Sequence, residues 1–369
     1  MYVYITYLLL FSVKLAAETS LVEVGRQRKC VQRAVVPPDG VEAGKYLYWE
    51  RMTHSGLGDR MINLLAARAI AWYECKSLAV RWPDKAKGHG RFPHYASLFK
   101  PVKGLLVLDG NKGKFPRGIK PDRLDLKAGF GLPASVSRII TTRSGGRDQL
   151  SLTDSIRIYN ALGKHFILNR RITKMISLLV PKVKGAIGLH IRRGDKIFGK
   201  EAESAAGIST TMLKQLEVTT ATILREVLGQ FPGAAVFIAS DTTLEKSKYS
   251  ELVVKLGGLP LTLTKKGHSG NKRWISYTHG VHSALGDIAL LAQCSIVLQS
   301  SSISSFSTFA AAMGMGKLVN LLPQEYKCKS KLCHQFNEAS SGFIISWENR
   351  TTLLDGLQVA QYQSVDLER

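Results

Sequence analysis

The densest concentration of reactive side chains in the chain is Gly188–Lys196, which reads GLHIRRGDK. Ile187–Ile191 is an apolar run suited to a buried strand, and its end presents His190, Arg192, Arg193, Asp195 and Lys196. Successive residues of an extended chain point to opposite sides, so one arginine can reach into a cleft while the other pairs with a carboxylate such as Asp195. Guanidinium forks match diphosphate oxygens two at a time, and Gly194 permits a tight turn. The segment is either an anion site at a strand end or a charged surface turn closed by Arg–Asp pairing.

Other stretches carry the same ambiguity. Gly56-Leu57-Gly58-Asp59 precedes a helical pattern: its amides can approach an anion at a helix N-terminus, or Asp59 caps the helix. Ser240-Asp241-Thr242 follows an apolar run, and Asp241 can bind a ligand hydroxyl or cap the next helix, with capping its expected role. Asp287, at the start of Ile288–Leu291, caps its helix or accepts hydrogen bonds from a ligand ring. Ser300–Ser307, SSSISSFS, precedes the small-residue helix Thr308–Gly314. Its hydroxyls and amides can hold a phosphate or serve as redundant caps.

The elements that must position these residues follow from periodicity. Lys45–Glu50 reads as a strand, Arg60 to about Glu74 as a helix with Met61, Leu64, Leu65, Ile70 and Trp72 apolar, and Ser77–Trp82 as a strand. Together they form a βαβ unit. From Pro83 to Gly146 the chain is rich in Lys, Gly and Pro, with short apolar runs such as Leu105–Leu108, and irregular structure is expected. A helix from Asn169 to Leu179 ends at Pro181, which puts a domain boundary near 175–185. Beyond it come strand 186–191, helix 209–229, strand 235–239, helix 243–256, helix 283–293 and strand 295–299. Strands alternating with helices imply a parallel sheet. The expected architecture is α/β, with two Rossmann-like domains facing a cleft, 41–180 and 181–345, and a C-terminal segment 346–369.

At 369 residues, 45% hydrophobic and 21% charged, the chain is globular rather than disordered. Its net charge of +23 attracts anions without choosing among nucleic acid, acidic membrane and phosphorylated small molecules. Cys30, Cys75, Cys294, Cys328 and Cys333 form no CxxC pair, and no structural metal is read from them. Cys328 and Cys333 either close a small disulfide loop in an oxidising compartment or remain free. The apolar Met1–Val13 resembles a secretory h-region with cleavage near Ala17; a short anchor and an N-terminal strand are the alternatives. Asn349-Arg350-Thr351 is an acceptor sequon if the chain enters the secretory pathway.

Several motifs, in order, resemble a known family. HIRRGDK with Glu201-Ala202 after it, GLGDRMINLLAARAIAWYECKSLAVRW, VFIASD, and ALGDIALLAQCSIVLQSSSISSF are similar to inverting GDP-fucose-dependent fucosyltransferases. The likeness is greatest to the α1,6 group, which includes core-fucosylating and rhizobial nodulation enzymes and is related to α1,2- and protein-O-fucosyltransferases. It covers roughly residues 45–85 and 185–315.

The resemblance implies a GT-B fold, no metal requirement, and GDP-fucose held mainly by the second domain. It implies that Arg192 binds the β-phosphate and offsets charge on departing GDP, with His190 and Arg193 in support. Asp287 would read the guanine, Ser304 and Ser305 would hold phosphate, and Gly56, Leu57 and Gly58 would wall the cleft. Asp195 and Lys196 would stand near the acceptor, a glycan or glycoprotein. Inversion needs a base opposite the leaving group. Lys200 occupies the family's glutamate position, so the base is assigned to Glu201 with Glu203 as rival. DIALLAQC with its serine turn also resembles the α1,2 branch, and the chain is too short for the coiled-coil stem and SH3-like domain of animal core fucosyltransferases. The apolar N-terminus gives the expectation of action in the secretory pathway, with membrane association through that segment if it is kept as an anchor, and the lack of a nucleic-acid-binding motif gives the expectation of no nucleic-acid partner.

Overall fold

The computed structural model describes residues 46–49, 56–74, 76–83, 85–86, 90–110, 122–124, 133–145, 151–193, 209–263, 277–301, 304–314, 317–321 and 344–346. The expectations for the N-terminal segment, Cys328, Cys333, Asn349, Gly194, Asp195, Lys196, Glu201 and Glu203 fall outside these residues.

The first half contributes β1 (Tyr46–Trp49), α1 (Leu57–Tyr73), β2 (Ser77–Trp82), β3 (Lys85–Ala86), β4 (Gly90–Arg91), α2 (Tyr95–Leu98), β5 (Leu105–Asp109) and β6 (Asp122–Arg123). It continues with α3 (Pro133–Arg143), α4 (Leu152–Gly163), α5 (Arg170–Ile176) and α6 (Val180–Val183). The second half holds β7 (Ile187–Ile191), α7 (Thr210–Gln230), β8 (Ala235–Ser240), α8 (Thr243–Lys255), β9 (Leu259–Leu261) and α9 (Tyr277–Leu291). It ends with β10 (Ile296–Ser300), α10 (Ser305–Met313), β11 (Lys317–Asn320) and β12 (Ile344–Ser346). The fold is α/β with two parallel sheets, ordered β5-β2-β1-β6 and β12-β11-β10-β7-β8-β9, and β3 and β4 form a small antiparallel pair.

Several boundaries differ from the sequence expectations, each for a local reason. The helix expected from Arg60 starts at Leu57, because Gly56 takes the extended cap conformation and Gly58 enters the first turn. The helix expected at 283 starts at Tyr277, and that expected at Thr308 starts at Ser305. The helix expected at 169–179 ends at Ile176 and a separate short helix follows it: Asn169 caps α5 by accepting from the Arg171 amide at 3.1 Å, and Pro181 enters the first turn of α6, where no amide is needed. The stretch from Pro83 to Gly146 is more regular than its composition suggests. β5 pairs in parallel with β2 from Leu78↔Leu105 to Trp82↔Asp109, and α3 follows.

β7 lies at the centre of the larger sheet and is buried along its whole length. Ile187, Leu189 and Ile191 face α7 and pack with Leu216, Ile223, Leu224 and Val227. The alternate residues, Gly188 and His190, face the opposite side. A Cβ at Gly188 would stand 2.9 Å from Leu291 Cδ2, so the helix α9 that carries Leu291 sets the residue type there.

One apolar cluster crosses from sheet to sheet, joining Leu47, Leu64 and Tyr159 of the first half to Ile288, Phe309 and Leu318 of the second. The helix α10 makes this junction. A Cβ at Gly163 would lie 2.2 Å from the Ala312 carbonyl oxygen, so the end of α4 touches α10 backbone to backbone. A row of rings continues the seam: Trp82–Tyr95 at 5.4 Å, Tyr95–Phe99 at 5.2 Å, Phe99–Phe166 at 5.5 Å and Phe166–Phe309 at 5.8 Å between centroids. Such pairs add about 0.5–1.5 kcal/mol each beyond the area they bury.

Candidate functional site

The register of the central strands gathers polar residues at one sheet end. His190 lies beside Gln299 and Ala239, and Ile191 beside Ser300 and Ser240. All are at carboxyl ends of parallel strands, where open α/β sheets bind ligands.

The two arginines that follow β7 divide their work. Arg193 is 1% exposed and turns into the protein. Its Nη1 donates to the Ser300 carbonyl and, at 3.3 Å, to the Arg192 carbonyl, and its Nη2 donates to Ser300 Oγ at 2.8 Å. Ser300 Oγ also lies 2.9 Å from Thr220 Oγ1, so the guanidinium ties β10 to α7. The Arg193 amide donates to Asp241 Oδ1 at 3.1 Å. Asp241 therefore holds the strand end rather than capping α8. Thr242 is the cap, its hydroxyl accepting from the Glu245 amide at 3.2 Å. Arg192 is half-buried at the rim.

His190 is buried and stacks on Phe306, centroids 4.7 Å apart and planes 19° apart. Burial pushes its pKa down to about 3, and the positive charges of Arg192 and Arg193 add to the effect. The ring is neutral at physiological pH. Its Nδ1 is buried without a hydrogen-bond partner, and so are Ser304 Oγ and Gln299 Nε2. Ser304 holds the N-cap of α10 yet makes no side-chain bond to the helix. Other buried polar atoms of the described residues are also partnerless, but these three share a setting beside a helix N-terminus and the arginines that follow β7, which can hold a polar, anionic ligand.

Sign and window of the His190 effect follow from its depressed pKa. Between its ordinary value of 6.5 and about 3, the unfolded chain binds a proton that the folded chain refuses, so stability falls as pH falls through this window. The slope contributed is at most about 1.4 kcal/mol per pH unit. His190→Phe keeps the ring stack and removes the titration. Thermal unfolding midpoints measured from about pH 7 to about pH 4 should therefore decline less steeply in the variant than in the parent, and parallel declines would refute the assignment.

The first half reaches the same place. A Cβ at Gly58 would meet Ser305 Oγ at 2.7 Å and the Phe306 amide nitrogen at 2.8 Å. Only glycine lets α1 approach the start of α10 so closely. Asp59 does not cap α1; its Oδ1 accepts from Ser305 Oγ at 2.5 Å. The Ser305 hydroxyl is thus committed to joining the two halves, whereas that of Ser304 is not.

Gly58, His190 and Ser305 are brought together at the start of α10, with Gly56 and Leu57 preceding Gly58, Ser304 preceding Ser305, and Arg192 and Arg193 following His190 on the chain. Asp287 has a different neighbour: it is buried inside α9, far from that helix's first turn, with Oδ2 3.4 Å from Lys246 Nζ. Helix capping by Asp287 is ruled out. Gln299, Phe306 and Thr220 were not singled out from sequence, and Ser300 was read only as part of the serine-rich stretch. The signal for Gln299 and Ser300 was present, as polar residues ending the otherwise apolar buried strand IVLQS; Thr220, mid-helix, offered none.

No known protein family and no curated protein matches the chain by sequence. Among solved structures it is similar to NodZ α-1,6-fucosyltransferase soaked with GDP-fucose, at 19% identity and a TM-score of 0.47, over 74% of this chain and 93% of that one. Fucosyltransferase NodZ from Bradyrhizobium aligns at 17% identity and a TM-score of 0.46, over 74% and 94%. POFUT1 in complex with GDP-fucose aligns at 12% identity and a TM-score of 0.44, over 74% and 95%.

Proposed function

We propose that the chain is an inverting glycosyltransferase that moves L-fucose from GDP-fucose to a glycan, in an α1,6-type linkage, within the secretory pathway. The observation that carries this reading is the set of partnerless buried polar atoms on His190, Gln299 and Ser304 beside Arg192. The ordered motifs that resemble GDP-fucose-dependent fucosyltransferases specify the ligand. In this reading residues 41–180 form the acceptor side and 181–345 the donor side of a GT-B arrangement, with Gly56, Leu57 and Gly58 walling the cleft and Asp287 reading the guanine.

Chemically, the acceptor hydroxyl oxygen attacks the fucose anomeric carbon as the bond from that carbon to the β-phosphate oxygen breaks. GDP leaves with the bonding electron pair, and the acceptor proton passes to Glu201 as base. Arg192 offsets the charge that grows on the departing diphosphate, in place of a divalent cation. Neutral His190 adds no charge of its own; it presents a ring nitrogen to a ligand oxygen or hydroxyl.

The test is to incubate the full chain with GDP-fucose and a mixed library of glycans and peptides, with EDTA present, and to analyse the products by mass spectrometry. A glycan heavier by one deoxyhexose, formed together with one equivalent of GDP, is expected. A chain that neither transfers fucose nor binds GDP would overturn the reading.

A further inference from the structure

Two separate segments meet to form a strongly basic face away from the arginine-bearing strand ends. The Lys100 amide donates to the Ile167 carbonyl at 2.8 Å and the Asn169 amide to the Leu98 carbonyl at 2.9 Å, so the turn after α2 lies beside the entry to α5. Lys100, Lys103, Lys164, Arg170, Arg171 and Lys174 are all exposed there. Lys182 and Lys184 extend the face past α6 and are exposed too. Neither 96–103 nor 164–186 contains an aspartate or a glutamate.

Apolar side chains stand among these cations. On α5 the helical period turns Ile172 and Ile176 inward and leaves Arg170, Arg171 and Lys174 outward, while Met175 is partly exposed with its methyl lying against Gly286 of α9. Leu178, just beyond the end of α5, also stands at the surface. It is 83% exposed, Ile167 is 55% exposed and Met175 40%. A basic face alone suits any polyanion, but a polyanion that stays in water gives Leu178 and Ile167 nothing to bury against. A bilayer with anionic headgroups satisfies both groups: cations at the headgroups, apolar tips at the acyl boundary.

We infer that this face is a peripheral docking surface for an anionic lipid bilayer. Among the described residues no helix is long and apolar enough to cross a membrane, and a peripheral contact requires none. The face leads through Gly185 into the amino end of β7, whereas His190 and Arg192 lie at its carboxyl end. The five residues of that strand separate the two by about 17 Å. The docked molecule keeps its site open, and the inference holds whatever ligand that site takes.

The test is co-sedimentation of the full chain with vesicles of phosphatidylcholine alone and of phosphatidylcholine mixed with phosphatidylglycerol. Binding to the anionic vesicles is expected, with a loss on the order of a hundredfold when Arg170, Arg171 and Lys174 are all changed to glutamine. Leu178→Asn should also weaken vesicle binding. These substitutions are on exposed side chains, so circular dichroism should be unchanged. The apolar residues 1–13 are common to every variant, so differences between variants belong to the face. A triple variant that sediments like the parent overturns the inference. So does a Leu178→Asn protein that binds vesicles undiminished while soluble polyphosphate displaces it, which would make the face a site for a polyanion in water.

Discussion

Arg192→Ala is expected to lower kcat for the proposed fucosyl transfer by a factor on the order of a hundred to a thousand, the usual effect of removing one donor aimed at developing transition-state charge. The fold should survive, because Arg192 is half-buried and the bond its carbonyl accepts from Arg193 Nη1 persists in alanine. Arg192→Lys should restore only part of the rate, since an ammonium ion is a point charge and cannot fork across two phosphate oxygens. Steady-state kinetics on both variants, with unfolding midpoints as a control, separate lost chemistry from lost structure. An alanine variant with the parent's kcat would remove Arg192 from the mechanism.

Arg193→Met is expected to act in the opposite way, through stability. The guanidinium is buried and donates to the Ser300 carbonyl, the Ser300 hydroxyl and the Arg192 carbonyl. Hydrogen bonds to charged groups contribute about 1.5–3 kcal/mol each, and the acceptors left behind are buried, so a loss of about 3 kcal/mol or more in unfolding free energy is anticipated. The Ser300 hydroxyl would be left with Thr220 alone, and the strand end that presents Arg192 would lose its tie to α7. Arg193→Lys should not rescue it, because the fork geometry is what spans both Ser300 oxygens. Urea titration reads the effect, and a methionine variant as stable as the parent would show that the buried guanidinium is dispensable.

The division of labour between adjacent arginines was partly legible in the sequence. Alternation along an extended chain requires them to diverge, and the buried run Ile187–Ile191 marks where they emerge. Which one turns inward, and onto what, depended on Ser300 and Thr220, residues more than twenty-five positions away whose approach is set by strand register and helix packing. The glycine turn was legible as a turn, but its reason was not: Gly58 is required by α10, which is remote in sequence. The helix α4 went unread although its start carries a clear signal, Ser151 accepting from the Asp154 amide at 3.0 Å. Its apolar residues point at α1 and α10, and that burial appears only once the halves are packed. Asp241 and Asp59 both looked like caps because aspartate beside a helix start has that local role available. Each instead serves a partner far along the chain.

The ring row from Trp82 to Phe309 makes the two sheets thermodynamic neighbours. A ligand seated against His190 and Ser304 would brace the start of α10, the helix whose Phe309 packs at the end of that row. With one apolar cluster spanning both sheets, binding at one would stabilise the other, as for any ligand that binds only the folded state of a cooperative unit. Melting should proceed as one transition, with the buried Trp49 and Trp82 of the smaller sheet reporting occupancy of a site they never touch.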